Sequence, residues 1–257
     1  MNKKELLIQP DPWISLRSLT SARIALGRTG VSVPLAESLA FKLAHANARD
    51  AVYDLLDKAI LVEGIQQLQH PLLLLQSAAA NRQQYLQRPD YGRRLNEDAV
   101  QRLEQEQTGS SYDICISIAD GLSATAVNKH AIPLLQVLMP LLKHAGFSIA
   151  PICIIEQGRV AISDHTGQLS RATLSLIVLG ERPGLSSADS LGAYLTYQPQ
   201  QGTTDERRNC ISNIRPGGLS VEQSAQKILL LIQESFRLKL SGIQLKDDTA
   251  LSLPGIV

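Results

Sequence analysis

An α/β fold is the architecture this sequence predicts, and three observations carry it. Apolar residues recur at helical spacing through much of residues 1–110. From Tyr112 onward, short apolar runs such as "YDICISIAD" and "TLSLIVLG" alternate with helical stretches and glycine-containing breaks. Near the C-terminus an S-x-x-Q box opens a long amphipathic helix. Strands that alternate with helices favour a mostly parallel sheet. The expected organisation is therefore an N-terminal helical region over residues 1–110, then a mostly parallel, Rossmann-like sheet with flanking helices over residues 111–257.

Taken in order, Asp11 followed by Pro12 predicts a helix start, with a stop near Gly27 or Gly30. A second helix is expected after Ser32, with Pro34 in its first turn. Leu35, Leu39, Leu43 and Ala46 recur at helical spacing and mark the stripe expected to be buried. Weaker helical patterns cover residues 71–86 and 96–107, separated by the turn-rich "RPDYGRRL" with its three arginines. "YDICISIAD" reads as a buried strand, followed after glycine and serine by a helix over residues 131–145. "FSIAPICIIEQG", the short "GRVAIS", "TLSLIVLG" and "GAYLTYQP" read as further strands. In the last helix Ser220 and Gln223 form the box. Val221, Ala225, Ile228, Leu229, Ile232, Phe236 and Leu240 keep one apolar face, and Gly242 is the expected stop.

Composition narrows the function classes. The chain has 257 residues, 44% of them hydrophobic, enough for one large core or two modest ones. Its 25 basic and 24 acidic residues nearly cancel, which argues against a nucleic-acid binder. No run of 18 apolar residues exists to span a membrane. "MNKKELLIQPDPW" lacks the apolar core of a secretory signal, so a cytoplasmic protein is expected. Cys115, Cys153 and Cys210 are far apart and odd in number, which suits reduced thiols.

The standard catalytic signatures are absent. There is no G-x-G-x-x-G after a strand, no GK[ST], no CxxC pair and no HExxH, and no metal site is expected. "GLSAT" sets Ser123 between a strand and a helix, close to a nucleophile elbow, but the second glycine is missing. The histidine that would complete such a triad is His165, with Glu156 or Asp164 as its acid. Asp164 is its direct neighbour, and in an extended segment the two side chains point to opposite faces. The plainer reading is that Ser123 or Thr125 caps the following helix. "SLIVLGERPG", residues 175–184, is more informative. An apolar strand ends abruptly in Glu181 and Arg182 on a turn stiffened by Pro183. In α/β sheets ligands bind beyond the carboxyl ends of strands, where Asp120, Glu181 and Arg182 should fall. A solvated loop and a polar rim built for a ligand both fit these residues.

Six stretches together, "ARIALGRTG", "RPDYGRRL", "ISIADGLSATAVN", "GRVAISD", "LIVLGERPGLSSADSLGAY" and "RRNCISNIRPGG", resemble the small subunit of ethanolamine ammonia-lyase, in one order along nearly the whole chain. The resemblance implies a component of an adenosylcobalamin-dependent radical enzyme that converts ethanolamine to acetaldehyde and ammonia. It implies a large subunit that carries the substrate and the catalytic residues. It also implies a hetero-oligomer with several copies of each chain. The cofactor keeps its own lower base in this family. That agrees with the order Asp164, His165, Thr166, Gly167, which is not the D-x-H-x-x-G of proteins that displace the base. By motif, Val160 in "GRVAIS", Glu181 in "LGERPG" and Cys210 in "NCISNI" match family cobalamin contacts, with Arg159 a weaker neighbour. Corrin is a broad apolar disc rimmed by amides. Val160 offers backbone groups and an apolar side chain, Glu181 a carboxylate for amide N–H groups, and Cys210 a small soft contact that is not a cobalt ligand. Taken singly, Glu181 would be a surface ion-pair partner, and Val160 and Cys210 ordinary core residues. The arginines of "RPDYGRRL" and "ARIALGR" would face solvent or the large subunit. Some relatives carry a longer N-terminal extension tied to packaging in a bacterial microcompartment. Here about ten residues precede Asp11, and that localisation stays open. Two rivals remain: an α/β hydrolase using Ser123, and a non-catalytic assembly protein.

Overall fold

The computed structural model describes residues 8–106 and 111–245. The helix expected from Asp11 is only a 3-10 segment, Ile14–Leu19. Asp11 still organises this turn, its carboxylate accepting from the Trp13 N–H at 2.9 Å. Then come α1 (Leu35–Tyr53), α2 (Lys58–Gln67), β1 (Leu72–Gln76), α3 (Arg82–Gln87) and α4 (Glu97–Gln105). The second half holds β2 (Tyr112–Ala119), α5 (Ala124–His144), β3 (Ile152–Glu156), α6 (Ile162–Leu169), β4 (Ala172–Gly180), β5 (Leu191–Tyr197), β6 (Arg208–Ile214) and α7 (Val221–Leu238). Most of "NKKELLI" and the last residue of the helix expected over 96–107 lie outside the described residues.

The six strands form one sheet in the order β1-β3-β2-β4-β5-β6. β1, β3, β2 and β4 run parallel, whereas β5 is antiparallel to β4 and β6 antiparallel to β5. The fold is thus α/β as expected, but the sheet is mixed, and the mostly parallel, Rossmann-like expectation is corrected. The reason lies in the connections. No crossover helix separates β4 from β5 or β5 from β6, and the short links return the chain antiparallel.

Alternation along the central strands feeds two cores. Ile114, Ile116 and Ile118 of β2 and Leu174, Leu176 and Val178 of β4 pack with Leu135 and Leu138 of α5 and Ile228 and Ile232 of α7. The opposite face, with Cys115, Ala119, Ile177 and Leu179, meets Leu103 of α4 and Ile162 of α6. Helices therefore cover both sides of the sheet. Ser220 and Gln223 close the expected capping box at α7. Its end differs: Lys239 adopts the left-handed conformation (φ 56°), and Gly242 opens the next 3-10 turn.

Three further expectations are corrected. Residues 71–86 contain β1 before α3, because "LLLLQ" is a short apolar run whose period cannot separate helix from strand. "GRVAIS" is not a strand; Arg159 and Val160 lie in a loop that turns into α6. Asp164 and His165 therefore sit on a helix rather than in an extended segment or a turn. Finally, the Leu35, Leu39 and Leu43 stripe of α1 faces outward, with 74%, 54% and 61% of each residue exposed, and Ala46 is exposed too. The face that α1 does bury carries Ala44 and Ala51.

Candidate functional site

Three loops at the carboxyl ends of the parallel strands meet in an open cleft of about 520 Å³. The β2–α5 turn contributes Gly121 and Leu122, the loop after β3 contributes Arg159 and Val160, and the end of β4 runs into Glu181 and Arg182. Tyr85 of α3 and Tyr194 of β5 complete the lining near these groups, and Arg93 and Asp205 extend it outward. A second cavity of about 590 Å³ shares Arg93, Ala161 and Asp205, so the depression continues along the surface.

The close approach of the β2 and β4 loops depends on glycine. Gly121 has φ 55°, and a side chain there would lie 2.2 Å from the Gly180 carbonyl oxygen. In return the Leu122 N–H donates to Gly180 O at 2.9 Å. Beneath the turn Asp120 is almost wholly buried. Its carboxylate accepts from the Gly158 N–H at 3.1 Å and from Arg82 at 3.2 Å. Arg82 also donates to the carbonyls of Gly121 and Val52, at 2.8 and 2.7 Å. Burial raises the Asp120 carboxyl to about 7, against the pull of the Arg82 charge and of backbone N–H groups. Asp120 therefore organises the loops under the cleft and is not part of its lining.

Glu181 is held through one side of its carboxylate. One carboxylate oxygen, Oε2, accepts from Ser190 Oγ at 2.5 Å and from the Asn213 N–H at 3.1 Å. Among the described residues Oε1 accepts no hydrogen bond, and Glu181 makes no ion pair with Arg182. Val160 is half-buried in the same cleft. Cys210 is exposed on β6 opposite Tyr194, outside the lining itself. Burial pushes the Tyr194 phenol up, and the neighbouring Cys210 and Glu181 push the same way. The structure thus brings Val160 and Glu181 into one cleft and puts Cys210 at its edge.

The residues that sequence reasoning missed are Arg82, Tyr85, Tyr194 and Ser190. Arg82 and Tyr85 lie on α3, whose only local signal is the Asn81 cap, which accepts from the Gln84 N–H. Arg93 was visible as one of the arginines of "RPDYGRRL" but without a direction. Ser123 is fully buried as the cap of α5. Its Oγ accepts from the Ala126 N–H and donates to Ala188 O at 2.8 Å, which occupies it structurally. Asp164 is committed to a buried ion pair with Arg208, and His165 Nδ1 has no partner among the described residues, so no Asp–His relay forms. Among the described residues no group of three His, Cys, Asp or Glu side chains is placed to hold a metal ion, and no helix is long and apolar enough to cross a membrane.

Fold and cleft together define an α/β protein with an open, polar-rimmed cleft at the strand ends and exposed apolar residues along α1. Comparison with known proteins narrows the class. The family model "Ethanolamine ammonia-lyase light chain (EutC)" matches residues 10–246. The ethanolamine ammonia-lyase small subunit of Azotobacter vinelandii strain DJ is 51% identical over 244 residues, covering 94% of this chain and 90% of that protein. The small subunits of Pseudomonas aeruginosa strain LESB58 and of Xanthomonas campestris pv. campestris strain ATCC 33913 are each 51% identical. They cover 96% and 95% of this chain, and 92% and 91% of their own lengths. The chain belongs to the ethanolamine ammonia-lyase light-chain family, a family of lyase subunits.

Proposed function

We propose that this chain is the cofactor-enclosing small subunit of an adenosylcobalamin-dependent ethanolamine ammonia-lyase, which converts ethanolamine to acetaldehyde and ammonia. The observation that carries the reading is the cleft at the strand ends, where Val160 and Glu181 meet and Cys210 stands at the edge. A corrin disc rimmed with amides fits this donor set. Val160, Leu122 and the Gly121–Gly180 backbone offer an apolar and backbone surface. Glu181 Oε1 is oriented by the bonds that fix Oε2 and can accept an amide N–H. When bound, adenosylcobalamin supplies the radical that starts the reaction. The residues of this chain hold and orient the cofactor and cover it from water. The substrate and the catalytic residues belong to the large subunit. Several copies of each chain make up the complex.

The test is a visible-absorbance titration of the complex assembled from this chain and its large subunit. A saturable cobalamin signal, absent from either chain alone, is expected. Glu181→Gln keeps an acceptor for Ser190 but removes the charge, and it should weaken affinity by about tenfold or more, in line with roughly 1.5–3 kcal/mol for a hydrogen bond to a charged group. Unchanged affinity would remove Glu181 from the site.

The N-terminal region carries the contact with the large subunit in this reading. The outward stripe of α1, Leu35, Leu39 and Leu43, is joined by exposed Phe41 on the same helix and by exposed Trp13 and Leu19 before it. Exposed apolar groups on this scale mark interaction surfaces. Leu39→Glu with Leu43→Glu is expected to abolish co-purification with the large subunit and to leave the circular dichroism of the isolated chain unchanged. Intact co-purification would shift the interface elsewhere.

A further inference from the structure

Three arginines, Arg93, Arg159 and Arg182, are among the residues that line the same cleft. Arg159 is half-buried and so loses part of its water, whereas Arg93 and Arg182 are exposed. Charged residues are normally arranged to offset this by pairing. Among the described residues none of the three forms an ion pair with a carboxylate. The carboxylates nearby do not cancel them. Glu181 spends one oxygen inward on Ser190 and Asn213, and Asp205 stands exposed beside Arg208 at 3.8 Å.

Arg159 is the most constrained of the three. Its guanidinium lies 4.6 Å from the centre of the Tyr85 ring, and the Arg82 guanidinium is 4.8 Å from the same centre. Gly92 packs so closely that a Cβ there would meet Tyr85 at 2.8 Å and the Arg159 stem at 2.9 Å. Of the polar contacts available to Arg159, one long hydrogen bond, Nη2 to Tyr85 O at 3.4 Å, is made. Its Nε is buried with no partner among the described residues. Arg82 has the Asp120 carboxyl beside it at 3.2 Å, whereas Arg159 has no carboxylate partner among the described residues. An arginine pre-set by an aromatic ring, with a fork of unused donors, is the arrangement that recognises a group with several anionic oxygens.

We infer that Arg159, with Arg93 and Arg182, forms a subsite for a phosphate ester within this cleft. The inference rests on the cofactor reading above and deepens it, because cobalamin carries one phosphodiester, in the loop that joins the corrin to its lower base. Arg159 is the anchor, and Arg93 leads toward the second cavity, where the remainder of a large ligand would extend.

The experiment compares two corrinoids on the assembled two-subunit complex: adenosylcobalamin, and adenosylcobinamide, which lacks the phosphodiester and base. Inorganic phosphate, followed by its effect on thermal unfolding, is the third probe. Arg159→Gln is the principal variant. Arg182→Gln is the control for folding, since Arg182 is exposed and its side chain makes no hydrogen bond or ion pair among the described residues. Both variants should weaken adenosylcobalamin by about tenfold or more and leave adenosylcobinamide within about twofold. That selective loss supports the subsite, with the corrinoid as the source of the phosphate. If both corrinoids bind alike in all variants but phosphate stabilises only the wild-type complex, the subsite stands with free phosphate as its ligand. Equal effects on both corrinoids together with no response to phosphate overturn it. No saturable binding of either corrinoid by the wild-type complex would overturn the cofactor reading itself, and the phosphate response would still decide the subsite.

Discussion

At pH 8, where Asp120 is ionised, Arg82→Met should destabilise the isolated subunit by about 3–5 kcal/mol, the cost of removing one partner from a buried ion pair. The pair is nearly dry, with 9% of the Arg82 side chain and 3% of that of Asp120 exposed. The substitution also removes donors from the carbonyls of Val52 and Gly121, which hold α1 and the β2–α5 turn against α3. The loss should depend on pH in a defined direction. An unfolded aspartate titrates near 3.8, and the buried Asp120 keeps its proton up to about 7. The folded state therefore binds the extra proton between these values. The stability contributed by Asp120 is fully present below about pH 4 and is lost as pH rises through 7. Asp164 behaves likewise up to about 6, burial again being the largest cause and the Arg208 charge opposing it. Without Arg82 the Asp120 carboxyl rises further, so Arg82→Met should lose more stability at pH 8 than at pH 6. Denaturant unfolding at the two pH values measures this. An equal loss at both would assign the cost to the carbonyl hydrogen bonds and not to the stranded charge. Arg82→Met with Asp120→Asn should then recover part of the pH 8 deficit.

Elements whose local pattern had one interpretation were legible before the structure was known. The capping box of Ser220 and Gln223 and the following stripe fix α7 from within, because their partners are at most a few residues away. β2 and β4 were legible as continuous apolar runs because both of their faces are covered by helices. What failed depended on contacts distant in sequence. "LLLLQ" has no period, and only pairing with β3 makes it a strand. The α1 stripe has the right spacing, but spacing does not say whether an apolar face meets its own core or another chain. Strand direction at β5 and β6 follows from connections whose geometry the residues do not advertise. The site divides in the same way. Glu181 was visible as a charge set abruptly at a strand end. Tyr85 and Arg82 reach the cleft region from a helix of six residues, across a separation no local motif encodes.

Gly180→Ala is expected to disable the cleft even though glycine has no side chain to contribute. Gly180 ends β4 where that strand passes the β2–α5 turn. A Cβ on Gly180 would sit 1.9 Å from the Ser123 carbonyl oxygen and 2.8 Å from that of Asp120. Both obstacles are backbone, so no rotamer change relieves them. Either β4 or the turn must move, and movement breaks the Leu122 N–H bond to Gly180 O and loosens the Ser123 cap of α5. Overpacking in a well-filled interior costs typically about 1–3 kcal/mol and more where the contact is rigid, so a loss at or above about 3 kcal/mol is expected on thermal or denaturant unfolding. Glu181 follows directly, and its carboxylate can meet Ser190 and Asn213 only if Gly180 stays in place. Cobalamin titration of the complex made with Gly180→Ala should therefore show a deeper loss than Glu181→Gln, which changes the carboxylate but leaves the loop. If Gly180→Ala binds as well as Glu181→Gln or better, the close approach of the two loops is not what orients the rim, and the carboxylate alone sets the affinity.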